Sequence, residues 1–301
     1  MEGAKRINEV RRHAVLYLFL LPMMAVVLVF GVWPIVKSIQ MSFTDSGTSL
    51  SLHPEYVGFE NYRVIFSDPY FIDSLWITLR FTIVSVPANV FAAFFLALLI
   101  GSKMVRRGSV VFKLSIFLPV VVPIIATSVI WKWMYNTDFG AVNAILTGIG
   151  LPKWGGLARS NTVLWSLGIV EQWKHVGLYA VIFITNLQLI DAEMYEAAYL
   201  EGANYVQRVI HVTVPELRPA FTLNFIYATI QFLKTFAVAL VMSQGGPNYA
   251  SNFLSYYAYS KFRIAEYGQA TAMGSILFLV VVGITLVLRG ISQQRDEGSY
   301  A

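Results

Sequence analysis

Six long apolar stretches constrain this chain more than any other feature of its sequence. A helix of about 20 apolar residues crosses the hydrocarbon core of a bilayer. The stretches cover residues 14–36, 75–100, 110–134, 163–189, 219–242 and 270–288. Membrane-spanning β-strands alternate apolar and polar residues, and these uninterrupted runs do not. The sequence therefore predicts an all-α integral membrane protein with about six transmembrane helices.

The composition supports a membrane location. Charged residues make up only 13% of the chain, whereas soluble proteins contain about 25%, so much of the surface is expected to contact lipid. The basic residues before the first stretch are typical of a signal peptide. That stretch is longer than a signal-peptide core, however, and no small-residue cleavage site follows it. We therefore expect a retained helix.

The distribution of Lys and Arg predicts the orientation. With the N-terminus inside, 12 of the 22 Lys and Arg residues fall in inner segments and 7 in the longer outer ones. Cytoplasmic loops carry such an excess, so both termini are predicted to be cytoplasmic. We interpret residues 1–301 as one transmembrane domain. It has a cytoplasmic segment at 1–13, a cytoplasmic loop at 191–216 and a cytoplasmic tail at 289–301.

The sequence lacks the residue patterns that several kinds of chemistry require. The chain has no cysteine, and its histidines at positions 13, 53, 175 and 211 lack metal-ligand spacing. No G-x-x-x-x-G-K-[ST] loop occurs. The net charge of +5 lies in short loops without a basic, aromatic-rich patch. We expect no metal, no cofactor, no catalysis and no nucleic-acid binding in this chain.

The loop at 191–216 has the pattern of two short helices joined by a bend. Residues 192–201 are mostly good helix formers, Gly202 is a plausible helix stop, a second helix fits 204–211, and Pro215 is expected to break the chain. Its apolar residues suit either a groove on a partner protein or the membrane surface, and the residues alone leave both open. These residues are Met194, Ala197, Ala198, Val206, Val209 and Ile210.

The spacing in this loop resembles the EAA loop of ABC-importer permeases. Glu196-Ala197-Ala198 is followed after three residues by Gly202, and after nine more by Val212-x-Val214-Pro215. The family pattern has Ile and Leu where this chain has the two valines. The resemblance implies that Glu196, Ala197, Ala198, Gly202 and Pro215 couple the chain to a cytoplasmic ATPase. ATP and Mg²⁺ would then bind to two separate ATPase subunits.

Further segments resemble the sugar-importing branch of these permeases, in particular the larger membrane subunit of maltose-type importers. They are Val57-Gly58-Phe59-x-Asn61-Tyr62, Trp173-Lys174-x-x-Gly177, Asn186-Leu187-Gln188-x-Ile190, Gly245-Gly246-Pro247, Tyr256-Tyr257 and Gly268-x-Ala270-x-Ala272. The resemblance implies the type I importer permease fold in a bacterial inner membrane. It also implies a second, homologous permease subunit and an extracytoplasmic sugar-binding protein. The outer loops 37–74 and 138–161 are candidate docking surfaces for that protein.

Ionisable residues inside a span usually face a cavity or a partner. The fourth apolar stretch holds Glu171, Lys174 and His175, with Tyr179 one turn further. Glu171 and Lys174 would suit a local ion pair. Alternatively, Lys174, His175 and Tyr179 line a substrate path, as their alignment with the maltose permeases suggests.

The fifth stretch has a second candidate face at Ala228, Gln231, Phe232 and Thr235. The matching face in the maltose permease touches sugar, so the resemblance implies substrate contacts here. If Lys174, His175 and Lys234 line one cavity, the substrate is acidic, such as a uronic-acid oligosaccharide; a neutral oligosaccharide is the default. The alternatives are import of a glycerol phosphate ester or a polyamine, and an ion-coupled secondary transporter that uses Glu171 and Lys234.

Overall fold

The computed structural model describes residues 19–45, 54–101 and 109–297, without the side chains of 109–113 and 291–297. Within these ranges the chain is helical, and its only β-pairing is an isolated bridge between Thr44 and Tyr56. The predicted all-α fold is confirmed. The segment 1–13 and the basic residues at 103–107, on which the predicted orientation depends, lie outside the described residues.

The first half of the described chain contains helices α1 to α6. They are α1 (Phe19–Met41), α2 (Glu60–Ser67), α3 (Pro69–Gly101), α4 (Ser109–Val121), α5 (Ile124–Met134) and α6 (Ala141–Gly148). The second half begins with the long helix α7 (Ser160–Leu187) and α8 (Ala192–Leu200). It continues with α9 (205–216), α10 (Arg218–Leu233), α11 (237–243), α12 (Leu254–Arg263) and α13 (Tyr267–Glu297).

Three described helices are long and apolar enough to cross a membrane alone: Phe19–Met41, Pro69–Gly101 and Tyr267–Gly290. Two bent pairs raise the number to as many as five when each pair counts as one span. Leu114–Val121 and Ile124–Met134 meet at 106°, and Ser160–Leu187 and Ala192–Leu200 meet at 74°. The predicted third span is therefore wrong as a continuous helix, whereas the second bent pair joins the predicted fourth span to the helix of the following loop.

Prolines explain the break within the predicted third span. Pro123 has no N–H, and it disfavours helical geometry at Val122. The chain accordingly leaves helical geometry here, with Pro123 at ψ 133° before α5 begins at Ile124. The carbonyl of Pro119 loses its donor for the same reason, because the N–H four residues later belongs to a proline.

No proline or glycine marks the break within the predicted fifth span. α10 ends at Leu233, and Lys234 has φ −93° and ψ 14°. Tertiary contacts account for the interruption: the hydroxyl of Ser255 donates a hydrogen bond to the freed carbonyl of Thr235 at 2.5 Å. Helical geometry resumes in α11 and ends at Gln244, which has φ 51°.

The described chain forms two compact units. The smaller contains residues up to Ser67 together with Ser260–Ser275. Within it, Asn61 donates hydrogen bonds to the carbonyls of Ser42 and Thr44 at 2.9 and 3.0 Å. α1 is unburied along its whole apolar length. The interpretation of residues 1–301 as one domain stays a prediction.

The larger unit contains Asp68–Tyr259 and the chain after Ile276. Its core is aromatic. The ring of Phe94 lies 5.6 Å from that of Phe183 and 5.0 Å from that of Phe221. A polar contact also joins α3 to α7, because Gln172 donates to the carbonyl of Ser85 at 2.7 Å. This packing fixes α7, and thereby the segment that follows it.

Candidate functional site

The loop at 191–216 forms two helices, the first ended by a glycine motif and the second begun by a capping box. Gly202, at φ +85°, ends α8. Its N–H bonds to the carbonyl of Tyr199 and the N–H of Ala203 to that of Ala198, both at 3.0 Å, which is the Schellman pattern for a helix C-terminus. Asn204 and Gln207 then form a capping box at the start of α9. The predicted helix, bend and helix are all present.

Two side-chain contacts hold the halves of this loop together. The hydroxyls of Tyr195 and Thr213 lie 3.0 Å apart, and the guanidinium of Arg208 lies 5.5 Å from the centre of the Tyr199 ring. A cation over an aromatic face contributes about 0.5–2 kcal/mol, depending on its desolvation. The loop therefore has a defined shape in the single chain.

The prediction for Pro215 needs correction. Helical geometry continues from the π-helical turn Val209–Thr213 through Glu216, and Pro215 directly follows the residue at which this turn returns to α-helical geometry. The interruption falls at Leu217, at ψ 5°, before α10 begins. Pro215 is thus part of the second helix.

The loop exposes much of its apolar surface. Tyr199 and Leu200 are 66% and 85% exposed, and Glu196 and Ala197 are exposed beside them. On its other side, a cleft of about 380 Å³ separates the loop from the ends of α3 and α7, with Gly101, Gln188 and Arg208 in its lining. Exposed apolar patches of this kind mark surfaces that bind another molecule.

Lys174 has a position that the sequence did not indicate. It is only 7% exposed, and its ammonium donates to the carbonyls of Pro119, Val120 and Val122 at 2.9, 3.0 and 2.5 Å. These carbonyls belong to the proline-induced break between α4 and α5. All three donors of the ammonium therefore bind carbonyls of the broken helix rather than the Glu171 carboxylate.

The residues flanking Lys174 also contact the broken span. A Cβ added at Gly177 would lie 2.2 Å from the carbonyl oxygen of Ile116 in α4, so only glycine permits this approach. The ring of Trp173 lies 5.7 Å from that of Trp131 in α5. Within this segment, Trp173 contacts α5, Lys174 binds the carbonyls around the break, and Gly177 contacts α4.

His175 connects the two predicted substrate faces. Its Nδ1 lies 3.1 Å from a carboxylate oxygen of buried Glu171 and 3.0 Å from the carbonyl of the same residue. Its ring lies 6.4 Å from that of Phe232 in α10. The fourth and fifth stretches therefore meet at this pair.

The other predicted substrate residues are mostly core residues in this chain. Tyr179, Ala228, Phe232 and Thr235 are buried, and only His175 and Gln231 are partly exposed. The carbonyl of Tyr179 accepts a hydrogen bond from the amide of Asn224 at 3.3 Å. Substrate contact by any of the seven candidates stays a prediction. No cluster among the described residues has the composition of a metal site.

Comparison with known proteins gives the family. The model of the binding-protein-dependent transport system inner membrane component matches residues 71–295. The chain belongs to this family. The probable ABC transporter permease protein YurN of Bacillus subtilis is 31% identical over 276 residues, which cover 90% of this chain and 93% of that protein.

Two further similarities concern sequence and fold. The trehalose/maltose transport system permease protein MalF of Thermococcus litoralis is 29% identical and covers 93% of this chain and 94% of its own length. A chain from the crystal structure of a bacterial ABC transporter involved in the import of the acidic polysaccharide alginate has a TM-score of 0.84 at 22% identity. The match covers 96% of this chain and 99% of that one.

Membership of the family confirms several expectations. The chain is a membrane permease of the ABC-importer type with the type I permease fold, and it is a transport component rather than an enzyme. Sequence reasoning found the paired helices of the loop because their end signals are local. It missed the contacts of Lys174 and Arg208, whose only sequence signal was a charge within an apolar or helical segment.

Proposed function

We propose that this chain is the transmembrane permease subunit of an ATP-driven importer of sugars or oligosaccharides. The observation that carries the proposal is the family match over residues 71–295, together with a named trehalose/maltose permease at 29% identity over nearly the whole chain. In this proposal the chain forms half of the translocation path. A second, homologous permease forms the other half, two ATPase subunits supply the energy, and an extracytoplasmic sugar-binding protein delivers the substrate.

The proposed topology has six membrane segments in a bacterial inner membrane. These are α1, α3, the α4–α5 pair, α7, the α10–α11 pair and α13. The chain then crosses the membrane an even number of times, and both termini lie on the cytoplasmic side. The inner end of α3, at Ile100 and Gly101, lines the same cleft as Tyr205 and Arg208 of the loop, which supports one cytoplasmic face for these segments.

The loop at 191–216 is proposed to be the site of coupling to an ATPase. Glu196 and Ala197 present exposed side chains, Ala198 packs partly inward, and Gly202 provides the bend. Pro215 belongs to the helix that leads into α10. Because the loop follows α7 directly, a movement of the loop is transmitted to the span that holds Lys174 and His175.

A neutral saccharide is the favoured substrate class. The hypothesis of an acidic substrate depended on Lys174, His175 and Lys234. Lys174 donates to three backbone carbonyls, and His175 lies against the Glu171 carboxylate. Neither supplies a free positive charge for an acidic sugar, and only Lys234 of the three is exposed. His175, Gln231 and the ring of Phe232 are better suited to hydroxyls and to the C–H faces of a neutral sugar.

ATPase activity in proteoliposomes tests the proposal. The chain is co-expressed with its partner permease, ATPase and binding protein, and neutral and acidic oligosaccharides, glycerol phosphate esters and polyamines are screened. We expect one binding protein loaded with a neutral oligosaccharide to stimulate hydrolysis and import. Import by this chain alone, driven by an ion gradient without ATP, would contradict the proposal in favour of secondary transport.

A further inference from the structure

An apolar groove of about 330 Å³ lies on the surface between the middle of α3 and the first half of α7. Val84 and Ala88 line it from α3, and Trp165, Gly168 and Ile169 line it from α7. Gly168 adds no side chain to the floor, and a Cβ added there would make ordinary van der Waals contact with Phe81 and Ser85, at 3.5 and 4.0 Å.

Arg80 stands at one end of this groove. The following residues, 81–101, contain no ionisable side chain, and at about 1.5 Å per residue they match the hydrocarbon thickness of about 30 Å. Arg80 is therefore placed at the level of the lipid headgroups. Trp76, one turn earlier, is exposed and lies 5.8 Å from the guanidinium, as expected of an interfacial aromatic residue.

The guanidinium of Arg80 is exposed. Among the described parts of the chain, no carboxylate lies within salt-bridge distance of it. A guanidinium binds phosphate through paired charged hydrogen bonds. An apolar groove that ends at such a cation is complementary to one kind of membrane molecule, in which an acyl chain is attached to a phosphate.

We propose that the groove between α3 and α7 binds an acyl chain of an anionic phospholipid whose phosphate is held by Arg80. A helix of a partner subunit fits this groove less well. A helix is about 10–12 Å across, so a space of about 330 Å³ accepts less than one turn of it. An extended acyl chain is thin enough to lie along the groove. The inference requires only the membrane location and is independent of the transported solute.

Photolabelling tests the inference on the complete transporter. The complex is placed in nanodiscs of phosphatidylcholine and phosphatidylglycerol with a trace of phosphatidylglycerol that carries a diazirine in its acyl chain. We expect labelled peptides from residues 81–88 and 164–172. Gly168→Leu and Ala88→Leu, which fill the groove from its two sides, should abolish this labelling. Arg80→Gln should reduce labelling by the phosphatidylglycerol probe about tenfold, the ratio expected for loss of one charged hydrogen bond to the phosphate.

Gly283→Leu in α13 is the control, because a Cβ there meets no atom within 4 Å and the groove is unaffected. Its labelling should equal that of the unaltered complex. The inference is overturned if labelling persists in both groove-filling variants. It is also overturned if a photoreactive residue at position 84 cross-links to the partner permease, because a protein helix then occupies the groove.

Discussion

Among the described glycines of the membrane segments, Gly177 has the closest approach of a neighbouring backbone. A methyl group there would lie 2.2 Å from the carbonyl oxygen of Ile116 and 3.1 Å from its carbon, and backbone cannot yield as a flexible side chain does. We expect Gly177→Ala to destabilise the assembled transporter by about 1–3 kcal/mol, the usual cost of overpacking. The midpoint of thermal unfolding in detergent measures this loss.

Gly168→Ala in the same helix is the control for Gly177→Ala. The added methyl group would meet Phe81 at 3.5 Å, which is an ordinary contact. An unchanged midpoint is therefore expected for it. Equal loss of stability in both variants would show that the approach of Ile116 does not set the effect, because helix propensity alone favours alanine over glycine.

Lys174 offers a second prediction at the residue scale. Lys174→Met keeps the length of the side chain but removes the donor from three carbonyls, and a buried acceptor left unpaired costs about 1–3 kcal/mol. We expect a lower unfolding midpoint with an unchanged KM for the transported solute. If Lys174 binds substrate instead, KM rises while the midpoint stays constant.

At the scale of elements, the sequence determines the helices better than their interruptions. Long apolar runs predict helices because lipid offers no other partner for the backbone. Pro119 and Pro123 indicate the break at Val122 in the sequence. They lie, however, within an apolar run that is long enough to be predicted as one continuous span. The break at Lys234 has no such local signal, since it depends on the hydrogen bond between Ser255 and Thr235, which are twenty residues apart in sequence. Contacts such as Lys174 with Pro119, fifty-five residues apart, require the tertiary fold.

The loop at 191–216 is predicted to transmit force only while its two helices keep their relative position. Arg208→Ala removes the cation from the Tyr199 ring, whereas Arg208→Lys retains a charge that can interact with it. We expect the alanine variant to lower the number of solute molecules imported per ATP and the lysine variant to preserve most of this ratio.

A double-mutant cycle with Tyr199→Leu separates the cation–π contact from other roles of Arg208. If the contact matters, the two substitutions are non-additive by about 0.5–2 kcal/mol in loop stability. Full additivity would mean that Arg208 acts through another surface, such as the ATPase itself.

For the whole molecule, the sequence predicted the membrane class and the family-specific loop, but it did not predict the interior of the path. The candidates at 174, 179, 228, 232 and 235 are buried within this one chain. Helical periodicity can indicate which residues share a face, but it cannot distinguish a face toward a cavity from a face toward a neighbouring helix. Half of the proposed path also belongs to a second permease, whose side chains this sequence does not contain.

Coupling across the assembled transporter gives the last prediction. Glu196 is exposed on α8, and a cationic side chain there should oppose docking to the ATPase without disturbing the membrane segments. We expect Glu196→Lys to assemble normally and to import little solute, while ATP hydrolysis no longer responds to the loaded binding protein. Glu201→Lys, an equal charge reversal just past the end of α8, should import normally, because five residues of helix place it on another face. Normal import by Glu196→Lys would show that coupling runs through a different surface of the loop.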